Sequence, residues 1–370
     1  MSNYIISGIQ QIGIGVEDLP QAWKHYIDVF NMDVRILEDD TVAELMLPYT
    51  GNSPQKRHAA IAINMQGGGG FEIWQYSHRK PKLIDFEISF GDIGIFAAKI
   101  KSRDVKQTYD LFSKNPSIKV LGSLKESIDG QLTFFVKDRY ENIFQIVYDG
   151  YIFVDEKRGT GGAVGAIIGV SDIEKALPVY RDILGHDAVV YDVSGKFDDL
   201  EALNGGDRNY RRVLLTHTNP RKGGFSKLFG KTYIELVQAL DRQPRKIYEN
   251  RFWGDPGFIH LCFDVINMNG LKTACAKMGF PFTVDSSVKH NETNSFDMGE
   301  AAGHFSYIED PDGNLIEFVE THKIPLIKKL GINLNLRKRN PEKPLPTWML
   351  KFLKYGRVKH GELEAKGAKS

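Results

Sequence analysis

Short runs in which every second residue is apolar recur through the chain, each followed by helical spacing, and their order comes round four times. Between Gly257 and Val265, Ile259, Leu261, Phe263 and Val265 alternate with His260, Cys262 and Asp264, the pattern of a strand with one buried face. Gly8 to Asp33 set against Gly162 to Asp187, at a constant offset of 154, matches at Gly8/Gly162, Ile14/Ile168, Gly15/Gly169, Val16/Val170, Asp18/Asp172, Ala22/Ala176, Tyr26/Tyr180, Asp28/Asp182 and Asp33/Asp187. Both copies predict a strand, an Asp at a helix start, and a helix ending near Asn31 or Gly185. Their closing strands agree as well: Phe71 to Gln75 runs on to Arg79 and Pro81, and Ile234 to Gln238 runs on to Arg242 and Pro244. The first and third modules are therefore copies. The second and fourth share Gly91-Asp92-Ile93-Gly94 against Gly254-Asp255-Pro256-Gly257, and Lys137 to Gln145 mirrors Glu309 to Glu317.

These repeats predict two tandem domains and a tail. The first spans residues 1–153, with modules at about 8–81 and 86–150; the second spans 160–322, with modules at about 160–244 and 254–322; a basic tail covers 323–370. A polar, glycine-bearing linker near Val154 to Thr160 separates them; no Lys-Ser/Thr follows its glycines, so it does not read as a phosphate loop. Gly67 to Gly70 falls where the last hairpin turn of the first module belongs. The third module carries an insertion-like stretch, Ser194 to Lys231, expected either to cover the mouth of the fold or to run out into solvent. In the tail Lys328, Lys329, Arg337, Lys338, Arg339, Lys343, Lys351, Lys354 and Arg357 outnumber the acids. Trp348, Met349, Leu350, Phe352 and Leu353 there predict a short amphipathic helix, docked on the body by its apolar side or, alternatively, touching a membrane surface or an anionic ligand.

Composition narrows the class. Of 370 residues 42% are hydrophobic and 26% charged, the balance of an ordinary globular chain. A net charge of +1 predicts no general affinity for nucleic acid. The two cysteines, Cys262 on a predicted strand and Cys275 on the helix after it, read as reduced thiols and leave no Cys-x-x-Cys zinc site. The first residues lack a basic segment followed by an apolar core, and no apolar run is long enough to span a bilayer. A cytoplasmic location without integral membrane association is expected, as a monomer or a homodimer.

The candidate chemistry sits in the fourth module. Asp310-Pro311-Asp312-Gly313-Asn314 is a tight-turn sequence, and the strand after it is apolar except for Glu317. A buried carboxylate is costly unless paired, protonated or bound to a metal, so His260 and Glu317 are the first candidates for a metal site. A β-α-β-β-β module that opens on a His-bearing strand and closes with Asp-Pro-Asp-Gly-Asn and a Glu-bearing strand resembles the vicinal oxygen chelate superfamily. That superfamily holds glyoxalases, methylmalonyl-CoA epimerases, extradiol and hydroxyphenylpyruvate dioxygenases, and bleomycin- or fosfomycin-resistance proteins. The likeness covers residues 8 to 322.

The resemblance implies an α+β fold of four βαβββ modules in two tandem domains, each module pair forming a curved mixed-sheet cup with helices outside. It also implies that each module turns one residue inward from its first strand and one from its last. Those are Gln11 and Glu72, Ala97 and Gln145, Gly165 and Glu235, and His260 and Glu317. Ala and Gly cannot coordinate, so a metal-binding pair must include the fourth module. Pairing with the first gives Gln11, Glu72, His260 and Glu317, the residue types that a glyoxalase presents to its zinc; pairing with the third gives Glu235, His260 and Glu317. The first is preferred because it gives a reason for Gln11 on a strand face otherwise made of Gly13 and Gly15. The implied cofactor is one divalent ion, whether zinc, nickel, cobalt, manganese or iron(II). The implied activity is a glyoxalase-like lyase or isomerase that moves a proton on a small-molecule substrate chelated through vicinal oxygens, with Glu317 as base and Glu72 as its partner. Alternatives are an iron dioxygenase of a catechol or keto acid, although the second His of its usual triad is missing, and a non-catalytic binding protein of the same fold. Trp74, Tyr76, Trp253, Tyr307 and His304 are possible cup-lining residues, though strand aromatics more often belong to a core.

Overall fold

The computed structural model describes residues 4–288, 296–298, 301–327 and 332–367; Lys328 and Lys329 of the tail lie outside them. The first module comprises β1 (Ile5–Gly15), α1 (Leu19–Phe30), β2 (Val34–Ala43), β3 (Gln55–Ile63) and β4 (Gly70–Tyr76). The second has β5 (Gly94–Ser102), α2 (Val105–Phe112), β6 (Lys119–Glu126), β7 (Leu132–Lys137) and β8 (Ile143–Tyr148). In the third, β9 (Ala163–Gly169) leads to α3 (Ile173–Leu177), which continues as a π-helical turn; β10 (Ala188–Gly195), β11 (Tyr210–Thr216), α4 (Ser226–Phe229) and β12 (Tyr233–Ala239) follow. The fourth has β13 (Gly257–Ile266), α5 (Met268–Lys277), β14 (Val284–Asp285), β15 (Phe296–Met298), β16 (Ala301–Glu309) and β17 (Leu315–Ile327). The tail adds β18 (Ile332–Asn335), α6 (Thr347–Lys351) and α7 (His360–Gly367).

The repeated Asp residues are helix caps. Asp18, Asp104 and Asp172 accept the backbone N–H of Gln21, Gln107 and Lys175 respectively, each satisfying a donor that the first helical turn leaves open. The chain leaves α1 at Asn31 and the π turn near Gly185 in the left-handed region, with φ of 56° and 66°.

Two mixed sheets result, and each takes one module from either half of the chain. One runs β14-β16-β17-β13-β1-β4-β3-β2, with β15 on β16 and β18 on β17; the other runs β10-β11-β12-β9-β5-β8-β7-β6. The first module thus pairs with the fourth through antiparallel β1 and β13, and the second with the third through β5 and β9. A different contact holds the tandem halves. The hydroxyl of Tyr26 on α1 donates to Asp138 at 2.9 Å, and its repeat Tyr180 donates to Asp310 at 2.9 Å. In both turns the other carboxylate oxygen accepts two backbone N–H groups, from Tyr140 and Asn142 or from Asp312 and Asn314. The repeated Tyr and the repeated Asp are therefore one tie, made twice. The apolar sides of the helices join both sheets in a single core that includes Trp23, Phe71, Phe144, Ile168, Tyr180 and Phe263.

The concave faces differ. That of the second and third modules is filled by Phe90, Phe135, Leu200, Leu203 and Tyr210. That of the first and fourth encloses a cavity of about 560 Å³. The Ser194 to Lys231 stretch serves both: Leu200 and Leu203 fill one cup, while Phe225, Leu228 and Phe229 line the cavity of the other. The tail is docked on the body. Leu345 N donates to Gly224 O at 2.9 Å, Val358 N donates to Asp33 O at 2.8 Å, and Met349, Leu350 and Leu353 reach the cavity. No helix among the described residues is long and apolar enough to cross a membrane.

Candidate metal centre

Register places the candidate residues. Gln11 lies opposite Cys262 and Gly13 opposite His260 across β1 and β13; Gly13 also lies beside Glu72 of β4, and Cys262 beside Glu317 of β17. His260 faces the cup by alternation with Leu261 and Phe263, which pack in the core under the helices, and a register shift between the partners of Gly13 and Ile14 leaves Ile259 with the cup-side residues as well. Along β17, Glu317, Val319 and Thr321 line the cavity. Gln11, Glu72, His260 and Glu317 are thereby brought to one floor: Gln11 2%, His260 0% and Glu317 7% exposed.

The ligand atoms of Glu72, His260 and Glu317 lie within 4.8 Å of one another. His260 Nε2 is 3.0 Å from Glu317 Oε2 and 3.1 Å from Glu72 Oε2, and Gln11 Nε2 donates to Glu317 Oε2 at 3.4 Å. Close approach is not alignment, however. Both imidazole nitrogens, Glu72 Oε2 and Gln11 Oε1 are buried without a hydrogen-bond partner. An unsatisfied buried polar group costs about 1–3 kcal/mol, so His260 Nε2, Glu72 Oε2 and Gln11 Oε1 call for a common partner. An imidazole, two carboxylates and an amide, whose oxygen and nitrogen exchange by a half-turn, fit a divalent cation. Without one, burial opposes a charge on His260, but Glu317 and Glu72 outweigh it and push its pKa up to about 10. Burial raises Glu317 in turn; His260 and hydrogen bonds from Tyr307 and Cys262 outweigh it and hold the carboxylate below its usual range.

Comparison with known proteins bears on the fold. Residues 166–296 match the model of the Glyoxalase/Bleomycin resistance protein/Dioxygenase superfamily. The matched segment runs from the third module into the fourth, in keeping with the resemblance to the vicinal oxygen chelate superfamily. No curated protein matches it. Among solved structures, a putative dioxygenase from Bacillus subtilis subsp. subtilis str. 168 is similar with a TM-score of 0.55 and 11% identity, over 96% of this chain and 97% of its own. Two glyoxalase I mutants from Zea mays are similar with TM-scores of 0.51, at 12% and 14% identity, over 85% of this chain and 93% or 92% of theirs. At such identities the likeness is one of fold.

The remaining sequence candidates lie elsewhere. Glu235 is not beside His260: it sits in the other sheet, where Oε2 accepts Lys99 Nζ and Oε1 accepts Arg212 Nε, both at 2.7 Å. Trp253 and Tyr307 line the cavity, with Trp253 nearly parallel to the His260 ring at 6.3 Å. Trp74 and Tyr76 belong to the aromatic cluster beneath. His304, on the opposite face of the sheet, clusters with Glu320 and His322; there Glu320 accepts the backbone N–H groups of Asn267 and Met268 at the start of α5.

Gly13 escaped the sequence reading. A Cβ there would stand 2.5 Å from His260 Cε1 and 2.7 Å from Nδ1, so the missing side chain is the space in which the imidazole lies. Gly13→Ala is expected to weaken divalent-ion affinity about 10- to 100-fold, as loss of ligand orientation does, in a chelator competition titration. Unchanged affinity would separate the glycine from the site.

Asp264, four residues beyond His260, supplies a pH test of the same strand. Burial, with Glu320 adding to it and the Ser7 hydroxyl opposing, raises its pKa from 3.8 to about 7. The folded chain therefore holds the proton that the unfolded chain has released, and stability falls as pH rises from about 3.8 to about 7. Asp264→Asn is expected to abolish that slope and, at pH 8, to be more stable than the parent by on the order of a few kcal/mol in urea unfolding. Parallel stability profiles for the two proteins would refute it.

Proposed function

We propose that the chain is a divalent-metal-dependent lyase or isomerase of glyoxalase-like type, with Gln11, Glu72, His260 and Glu317 as ligands. One observation carries the reading: four unsatisfied or converging polar side chains from two modules meet at the floor of a largely apolar cavity. A bound cation would supply Lewis acidity, polarising two adjacent substrate oxygens and stabilising enolate-like charge. The protein's own groups then have separable tasks. Glu317, held ionised by His260 and oriented by Tyr307, is the base that takes a proton from the carbon beside those oxygens. Glu317 gives the same proton back to the neighbouring carbon, and Glu72, across the imidazole and partly open to the cavity, is the partner that holds the imidazole from its other side. Walls such as Leu45, Met46, Ile61 and Phe229 keep water from the reacting carbon and favour a small-molecule substrate with an apolar body. The ion pair of Arg57 with Asp39 gives the wall one polar point. Among the described residues one imidazole rather than two stands at this floor, which favours proton transfer over oxygen activation.

The test is proton exchange. Metal-reconstituted protein, given a panel of hemithioacetals and α-substituted acyl thioesters in D2O, is expected to exchange or transfer the activated proton, seen by NMR, equally well under argon and in air. Oxygen uptake coupled to turnover would instead establish the dioxygenase alternative. Ligand binding that survives both metal removal and His260→Ala would establish a binding protein.

A further inference from the structure

We infer that the outer face of the tail helix is a membrane-docking surface, fitted to the anionic headgroup layer of a bilayer. α6 and the 3-10 turn that continues it, Phe352–Gly356, are apolar on two sides. The inner side, Met349, Leu350 and Leu353, lines the cavity and packs this part of the tail on the body. On the other side Trp348, Phe352 and Tyr355, spaced i, i+4 and i+7, are 61%, 55% and 74% exposed. Their rings touch in series, with centroids 5.8 Å and 5.6 Å apart. A continuous exposed aromatic stripe marks an interaction site, and Trp and Tyr are the side chains that sit at headgroup depth.

Charge selects the partner. From Lys343 to Gly361 the chain has five basic residues and no acidic one. Arg357 among them is engaged by Asp33 and Glu156, whereas Lys351 and Lys354 flank the aromatic stripe, with Lys354 Nζ 5.5 Å from the Tyr355 ring centroid. Lysines beside exposed aromatic rings suit an interface that is apolar below and anionic above. The surface is also continuous with the cavity. Ile36 and Val42 of β2 are both exposed and both line it, and β2 bridges to the tail at Val34 and Arg357. Docked this way, the mouth faces lipid, a route of entry for an apolar ligand. None of this depends on the chemistry assigned to the metal centre.

Cosedimentation of the full chain with vesicles tests it. Binding is expected to phosphatidylcholine vesicles containing phosphatidylserine, and much less to phosphatidylcholine alone. Lys351→Gln with Lys354→Gln should lower partitioning roughly 25-fold, about fivefold for each charge. Trp348→Ser with Phe352→Ser should abolish it while leaving thermal unfolding unchanged, since these side chains are exposed. His260→Ala should bind vesicles like the parent, which separates this result from failure of the metal reading. A parent protein that stays in solution with every vesicle overturns the inference. So does a lipid-free dimer that Trp348→Ser with Phe352→Ser converts to monomer in sedimentation velocity, which would assign the face to a second copy of the chain.

Discussion

His260→Ala protein is expected to be isolated without the stoichiometric divalent ion proposed for the parent, and to have lost turnover altogether. Zinc sites held by four protein ligands are worth about 10–16 kcal/mol, so one ligand accounts for roughly 3 kcal/mol and its loss for a hundredfold or more in affinity. The chemistry of this floor adds to that figure. Removing the imidazole leaves Glu72 and Glu317, each within 3.1 Å of the vacated nitrogen, facing one another in a buried site. Two such carboxylates cannot both stay ionised, and the one that takes a proton is lost as a ligand as well. Elemental analysis of His260→Ala, Glu317→Gln and Glu72→Gln beside Asp264→Asn decides the point. The first three should lose the ion and the fourth should keep it. Retention of one ion per chain by His260→Ala would remove the imidazole from the site and the proposed reaction with it.

Why these residues and not their repeats could be read from sequence is a matter of range. The alternation around His260, the Asp caps and the Asp-Pro-Asp-Gly-Asn turn are local, and local pattern suffices to find strands, helix starts and the inward positions of each module. The partner of the fourth module is a long-range fact. It depends on β1 meeting β13 across some 250 residues, and nothing in either strand's alternation names the other. Glu235 had the same local credentials as Glu72. What distinguishes them is Lys99 and Arg212, strand cations that a sequence places in solvent and the fold buries, 4% and 0% exposed. The tail misleads in a similar way. Its helix is apolar on two sides, so pattern alone could not say that Met349 and Leu353 line the cavity while Trp348 and Phe352 face outward.

Glu235→Ala is expected to be among the most destabilising single substitutions in the chain, at about 3–5 kcal/mol, and to leave metal content untouched. In the second cup Glu235 and Gln145 stand where Glu72 and Glu317 stand in the first, since β12 runs parallel to β9 as β4 does to β1, and β8 to β5 as β17 does to β13. Here the place of a cation is taken by the protein itself. Lys99 Nζ donates to Glu235 and Gln145, while Arg212 bridges Glu235 to Asp199 at 2.7 Å on either side. Two cations and two carboxylates balance; deleting Glu235 leaves one buried positive charge in excess. Burial pushes Glu235 up, but Arg212 and Lys99 outweigh it and hold its pKa down to about 2. Its folded value is thus below the unfolded 4.5, so its contribution is complete above about pH 4.5 and fades as pH falls towards 2. The gap between parent and Glu235→Ala in urea unfolding should close over that acid window. Lys99→Met added to Glu235→Ala should recover much of the loss at neutral pH, because it removes the excess charge. A deficit indifferent both to pH and to Lys99→Met would mean that Glu235 holds the cup by packing rather than by charge, and the reading of Lys99 and Arg212 as internal cations in that place would fall.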